Sequence, residues 1–213
     1  VDKLDTSEWL KNIENWKIKY PLKFPKRGGL RAQQVLAELD RLTDSKAIVS
    51  TDVGQHQMWA GQYYQYEQPR QLLTSAGLGA MGFGYPAALG AKVACPDKQV
   101  IDIDGDGSFL MNVQELATAR IEKIAAKAII LNNQHLGMVV QWEDRFYAGN
   151  RGHTYLGNPD NTKEIYPDYP TICAGFGVKC EQVIFKKDLI PAMKRMLAAK
   201  EPYVLEIVTP YTE

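Results

Sequence analysis

From Ala47 to Val208 short aliphatic runs alternate with stretches whose apolar residues recur at helical spacing, which restricts the chain to an α/β fold with a mainly parallel sheet. Leu30, Val35, Leu36, Leu39 and Leu42 predict a first helix, followed by a buried strand at Ala47–Val49. Strands are expected at Gln71–Thr74, Val100–Ile103, Ala128–Leu131, Val178–Val183 and Tyr203–Val208. Helices are expected at Pro86–Ala94, Asn112–Ile121 and Lys187–Ala199. The expected architecture is a roughly six-stranded sheet flanked by helices. A chain of 213 residues suits one large domain or two small ones, and could bury about 70% of its unfolded surface.

Residues 1–28 hold Trp9, Trp16, Tyr20, Pro21, Pro25 and a run of lysines, and end in Arg27-Gly28-Gly29. They read as an interdomain linker with a few apolar anchors, so the folded domain is expected over 29–213. Val1–Lys11 lacks the basic-then-apolar order of a signal peptide and reads as the middle of something longer. Met138–Pro167 breaks the alternation. It is long for a connection and carries many charges and glycines with few aliphatics, so it is expected to be functional, disordered or displaced in the free domain and ordered when cofactor and neighbouring domains are present.

Charge and cysteines narrow the function. Lys plus Arg number 25 and Asp plus Glu 25, so no net field draws the chain to nucleic acid or an anionic membrane. No apolar run reaches the roughly 18 residues needed to span a bilayer. Cys95, Cys173 and Cys180 show no C-x-x-C spacing, which suggests neither a disulfide framework nor a zinc cluster and makes a reducing compartment the default.

The most chemically informative segment is Val100-Ile-Asp-Ile-Asp104-Gly105-Asp106-Gly107-Ser108-Phe109, a strand that runs into a glycine-flanked aspartate ahead of a helix. Gly105 and Gly107 let backbone approach a ligand, Asp106 offers a hard oxygen for Mg²⁺, and amides beyond it can hold an anion. A calcium loop fails because its twelfth position is Val113 where a bidentate Glu is required. A turn that merely uses Gly and Asp is the plain alternative. A second signal follows 27 positions after Asp106, where Ile129-Ile-Leu131 ends in Asn132-Asn133-Gln134-His135. One crossover helix fits between them, so two parallel strands would end side by side. Asn133 could then join Asp106 on one cation.

This pairing resembles the motif of the thiamine-diphosphate enzymes, which opens with Gly-Asp-Gly and closes with Asn-Asn after one helix. Thr51-Asp-Val-Gly-Gln55-His56-Gln-Met-Trp59, Thr74-Ser-Ala-Gly-Leu-Gly79-Ala-Met81-Gly-Phe-Gly84 and His135-Leu-Gly-Met-Val-Val-Gln-Trp142 resemble the catalytic subunit of the acetohydroxyacid synthase (acetolactate synthase) family. The resemblance implies a thiamine-diphosphate-binding fold in which Asp106 and Asn133 bind Mg²⁺ by side chain and His135 by its carbonyl. Gln55, His56, the Gly105, Asp106, Gly107 and Ser108 backbone and the Gly137-Met138 turn would lie on the diphosphate. Met81, in the loop with Gly79, would wedge beneath the bent cofactor. Met138, Val139 and Trp142 would line the substrate and herbicide channel.

The same resemblance implies a reaction: pyruvate is decarboxylated and ligated to a second 2-oxo acid in branched-chain amino-acid biosynthesis. FAD would be held mainly by another domain, and the activating Glu would lie in an N-terminal domain, leaving no catalytic residue here and an inactive isolated chain. It further implies a homo-oligomer with a possible regulatory subunit, in the cytoplasm or plastid stroma. Another thiamine-diphosphate decarboxylase, or a non-catalytic cofactor- or subunit-binding module, stays open. Taken singly, His56, His135 and His153 read as structural histidines, Met81 and Met138 as core filler, and Trp142 as a partner contact.

Overall fold

The computed structural model describes residues 4–25 and 27–211. Lys26 of the expected linker, and Thr212 and Glu213 of the expected domain, lie outside them, as do Val1–Lys3. Six parallel strands form one sheet among the described residues: β1 (Ile48–Thr51), β2 (Leu72–Thr74), β3 (Val100–Gly105), β4 (Lys127–Asn132), β5 (Lys179–Val183) and β6 (Tyr203–Val208). Their order is β2-β1-β3-β4-β6-β5. The central register pairs Ile103 with Thr51 on one side and with Ile129 on the other.

Successive side chains alternate across the sheet, so each central strand feeds two cores. Ile101, Ile103, Ile129, Leu131 and Leu205 pack with α2 (Ala32–Thr43), α3 (Gln55–Tyr63) and α9 (Lys186–Ala198). Val100, Ala128, Ile130 and Val204 face the other way, onto α4 (Gly84–Ala94), α6 (Glu115–Ile121) and α8 (Tyr169–Gly175). The remaining helices are α1 (Ser7–Lys19), α5 (Asp106–Phe109) and α7 (Gly137–Phe146). Because β2 lies on one side of β1 and β3 on the other, the strand order reverses direction there. A crevice opens at such a point beyond the strands' carboxyl ends.

Several elements depart from the sequence reading, α8 among them, since no helix is expected over 169–175. Residues 7–19 form a helix with no buried residue, where linker composition suggested none. Gln55–Tyr63 is helical although its apolar residues show no amphipathic period; Trp59 and Ala60, with Tyr63 partly buried beside them, carry it into the core. Met138–Pro167, expected to be disordered or displaced in the free domain, carries a helix and a bridge. Here α7 occupies 137–146, and the chain returns to pair His135 with Tyr155. Leu136 donates to the Thr154 carbonyl at 2.8 Å and Leu156 to that of Gln134 at 2.8 Å. Glu143 accepts from Gly152 N at 2.7 Å and Thr154 Oγ1 at 2.9 Å. The ordering rests on hydrogen bonds, which an aliphatic count does not register.

Candidate functional site

Three strand ends build the site. After β1 the chain turns through Gly54 into α3, which presents Gln55 and His56 from its first turn. After β3 it passes from Gly105 into the short turn of helix over 106–109, and after β4 it runs through Asn133 and His135 into α7. These ends enclose a cavity of 110 Å³ lined by Gln55, His56, Met81, Gly105, Asp106, Gly107, Ser108, Asn133, His135, Gly137, Met138 and Val139. Gly79 and Trp142 are not among its lining residues. Gly79 sits at φ 63° in the loop that carries Met81. Trp142 lies one turn beyond Met138 on α7, 58% exposed, its ring 5.0 Å from that of Phe146. Val53, Trp59 and Leu136 also line the cavity, and nothing in their residue types marked them.

The turn after β3 is held from several sides. Tyr169, fully buried on α8, donates its hydroxyl to the Asp106 carbonyl. The backbone amides of Asn133 and Gln134, at the end of β4, favour the charged form of the Asp106 carboxyl. Burial nevertheless raises its carboxyl to about pKa 7, and its Oδ2 has no hydrogen-bond partner among the described residues. A buried carboxylate oxygen without a donor suits a hard cation. Asn133 Oδ1 accepts from His135 N at 3.0 Å and keeps a lone pair. Nδ1 of His135 donates to the Asn133 carbonyl at 2.7 Å, which sets its tautomer. Among the described residues no cluster of three or more His, Cys, Asp or Glu side chains is placed to hold a metal, so a cation here must rely on amide and carbonyl oxygens beside the one carboxylate. That donor set fits Mg²⁺.

His56 is buried, and burial lowers its pKa to about 3 against the opposing hydrogen bond to the Asp52 backbone. It is therefore a neutral ring at pH 7, and its Nε2 is buried without a partner among the described residues. A neutral imidazole can exchange a hydrogen bond with a ligand oxygen but cannot neutralise its charge. The cradle is close-fitting. A Cβ on Gly137 would lie 2.3 Å from Gln55 Oε1 and 3.0 Å from Asn133 Nδ2, and one on Gly107 would lie 2.8 Å from Leu156 Cδ1.

Buried acids beneath the site were not assigned a role from sequence. Asp52 Oδ1 accepts from Gly82 N at 3.0 Å and Oδ2 from Gly84 N at 2.8 Å, so the segment around Met81 is gripped from the end of β1. Asp102 accepts from Ser50 Oγ at 3.0 Å, and burial raises it to about pKa 8. Burial and the neighbouring Asp102 also raise Asp104, which accepts from the Ser108 hydroxyl and from Gly105 N. Glu206 on β6 accepts from Asn132 Nδ2 at 2.7 Å and Gln182 Nε2 at 2.8 Å. Asn132 Oδ1 in turn accepts from Gln134 N at 3.0 Å.

Residues 52–207 match the thiamine pyrophosphate enzyme family, in its C-terminal TPP-binding domain. The chain is 55% identical over 212 residues to acetolactate synthase 2, chloroplastic, of Nicotiana tabacum, covering 99% of this chain and 32% of that protein. It is 55% identical over 210 residues to acetolactate synthase 1, chloroplastic, of Zea mays, covering 98% and 33%. A solved structure, the thiamine diphosphate-dependent 4-hydroxybenzoylformate decarboxylase of Rhodococcus jostii, superposes with a TM-score of 0.79 at 28% identity, over 90% of this chain and 35% of that one. The chain thus spans about a third of the length of the curated relatives it matches. No helix among the described residues is long and apolar enough to cross a membrane.

Proposed function

The chain belongs to the thiamine pyrophosphate enzymes as a C-terminal cofactor-binding domain of the acetolactate synthase type, and on that premise we propose that residues 29–213 hold the diphosphate end of thiamine diphosphate through Mg²⁺. The carrying observation is the buried, partnerless Asp106 Oδ2 beside Asn133 at the meeting of three strand ends. Asp106 and Asn133 would ligate the cation by side chain and His135 by its carbonyl. Amides of Gly105 to Ser108, with Gln55 and neutral His56, would receive phosphate oxygens. Met81 would support the cofactor from below on the loop that Asp52 fixes. When bound, thiamine diphosphate supplies the electron sink for decarboxylation and carboligation of 2-oxo acids.

For the whole protein we propose acetolactate synthase activity on pyruvate and a second 2-oxo acid, with Met138, Val139 and Trp142 at the substrate and herbicide entrance. FAD would be held mainly by a domain outside this chain, in a homo-oligomer that can take a regulatory subunit, in the plastid stroma or cytoplasm. The activating carboxylate would come from elsewhere in the assembly, so the isolated chain is proposed to be inactive. The test is calorimetric titration of the chain with thiamine diphosphate, with and without Mg²⁺. Saturable, Mg²⁺-dependent binding that Asp106→Ala abolishes is expected. Equal affinity in the variant would overturn the metal assignment.

A further inference from the structure

Behind Gln55 and Trp59, which form a wall common to both, lies a second cavity of 290 Å³. One side of it is the start of α2, with Arg31 and Gln33, and the other is the segment Lys23–Pro25. Gln55 and Gln141 meet across its mouth at 3.5 Å. Nε of Arg31 is buried with no hydrogen-bond partner among the described residues. The same holds for Oε1 of Gln33, a side chain only 7% exposed. A buried polar group left unpaired bears its desolvation cost without compensation. The two belong to neighbouring positions on one cavity wall.

The charge around this space is one-sided. Lys23 and Arg31 line it with no Asp or Glu among the lining residues, although the chain as a whole carries a formal charge of zero. Neither cation is ion-paired among the described residues. Flat apolar surface completes the wall: Trp59 stands beside Phe24 and Tyr63, whose rings meet edge-on at 5.5 Å. Water alone can satisfy carboxamides, but it supplies no counter-charge to a guanidinium and an ammonium and gains little from aromatic faces. An oxyanion on a small carbon frame answers the charge and the aromatic faces, because guanidinium and carboxylate form charge-assisted hydrogen bonds and the frame covers the rings, while the Gln33 oxygen is left to water.

We propose that this second cavity is a subsite for a small oxyanion, a carboxylate or a phosphate, received by the Arg31 guanidinium with Lys23 across the space. The assignment rests on the cavity's own residues and does not require the cofactor reading. The flat walls favour a carboxylate. The test is NMR titration of the chain, following the Arg31 Nε–H and Trp59 indole signals with sodium pyruvate, sodium phosphate and sodium chloride at matched ionic strength. Saturable shifts with pyruvate or phosphate but not chloride are expected, and they tell which oxyanion is taken. Arg31→Ala, followed at Trp59, should weaken the saturating anion at least tenfold. Arg31→Lys, which keeps the charge and removes Nε, serves if the alanine variant does not fold and should also weaken it tenfold. Shifts that only track ionic strength, or affinity unchanged in the Arg31 variants, overturn the proposal and leave a water-filled hollow. Thiamine diphosphate affinity measured on the same variants reports the Asp106 site separately, so failure of one assignment is distinguishable from failure of the other.

Discussion

The carboxylate of Asp52 lies 2.8 Å from the amide of Gly84, while its other oxygen takes the amide of Gly82 at 3.0 Å, so one buried side chain fixes both ends of a short arc. Gly84 is required there: a Cβ would stand 2.5 Å from Asp102 Oδ1 and 2.7 Å from Asp52 N. Met81, next to that arc, lines the cavity at the strand ends.

Asp52→Asn should destabilise the chain by about 1–3 kcal/mol, because an amide nitrogen would face one of the two backbone donors. Amide exchange at Gly82 and Gly84 should accelerate while the β4 amides stay protected. Unchanged exchange at both glycines would show that the loop holds itself without Asp52.

Gly137→Ala should lower Mg²⁺-dependent thiamine diphosphate affinity more than tenfold with the circular dichroism spectrum preserved. The added methyl would meet Gln55 Oε1 at 2.3 Å and Asn133 Nδ2 at 3.0 Å, displacing a proposed metal ligand rather than the core. Calorimetry checks it; wild-type affinity would remove the Asn133–Gly137 contact from the site.

Lys127, buried on β4, donates to the carbonyls of Ala199 and Glu201, and burial lowers its pKa to about 8, with Lys92 adding repulsion. Between pH 8 and the ordinary lysine value of 10.5 the unfolded chain therefore binds more protons than the folded one. Stability should rise with pH across that window, at about 1.4 kcal/mol per unit of displacement. Urea melts from pH 7 to 10.5 should show the rise in the wild type and a flatter profile in Lys127→Met.

Trp142→Leu should leave cofactor affinity within about twofold, since the indole is 58% exposed, stacks on Phe146 and stands outside the cavity wall. On the proposed acetolactate synthase reading, the same change in the whole protein should weaken inhibitors that enter past Trp142 and shift the choice of second 2-oxo acid. Parallel loss of cofactor and inhibitor binding would make Trp142 a support of the fold instead.

What the sequence determined by itself was periodic or local. Aliphatic runs such as Ile129–Leu131 placed the strands because a parallel sheet buried on both faces leaves few polar positions. The spacing from Asp106 to Asn133 identified two strand ends because one crossover helix has a nearly fixed length. Tertiary structure alone decided the rest. Strand order β2-β1-β3 brought Gln55 and His56 beside Asp106, and it depends on which strands pair, not on any one of them. The hydrogen bonds of buried Asp52, Asp102 and Glu206, the Tyr169 hydroxyl on Asp106 and the Arg31 Nε without a partner among the described residues were invisible for the same reason. A polar side chain acquires its role from a partner dozens of residues away, and from the exclusion of water that only packing provides.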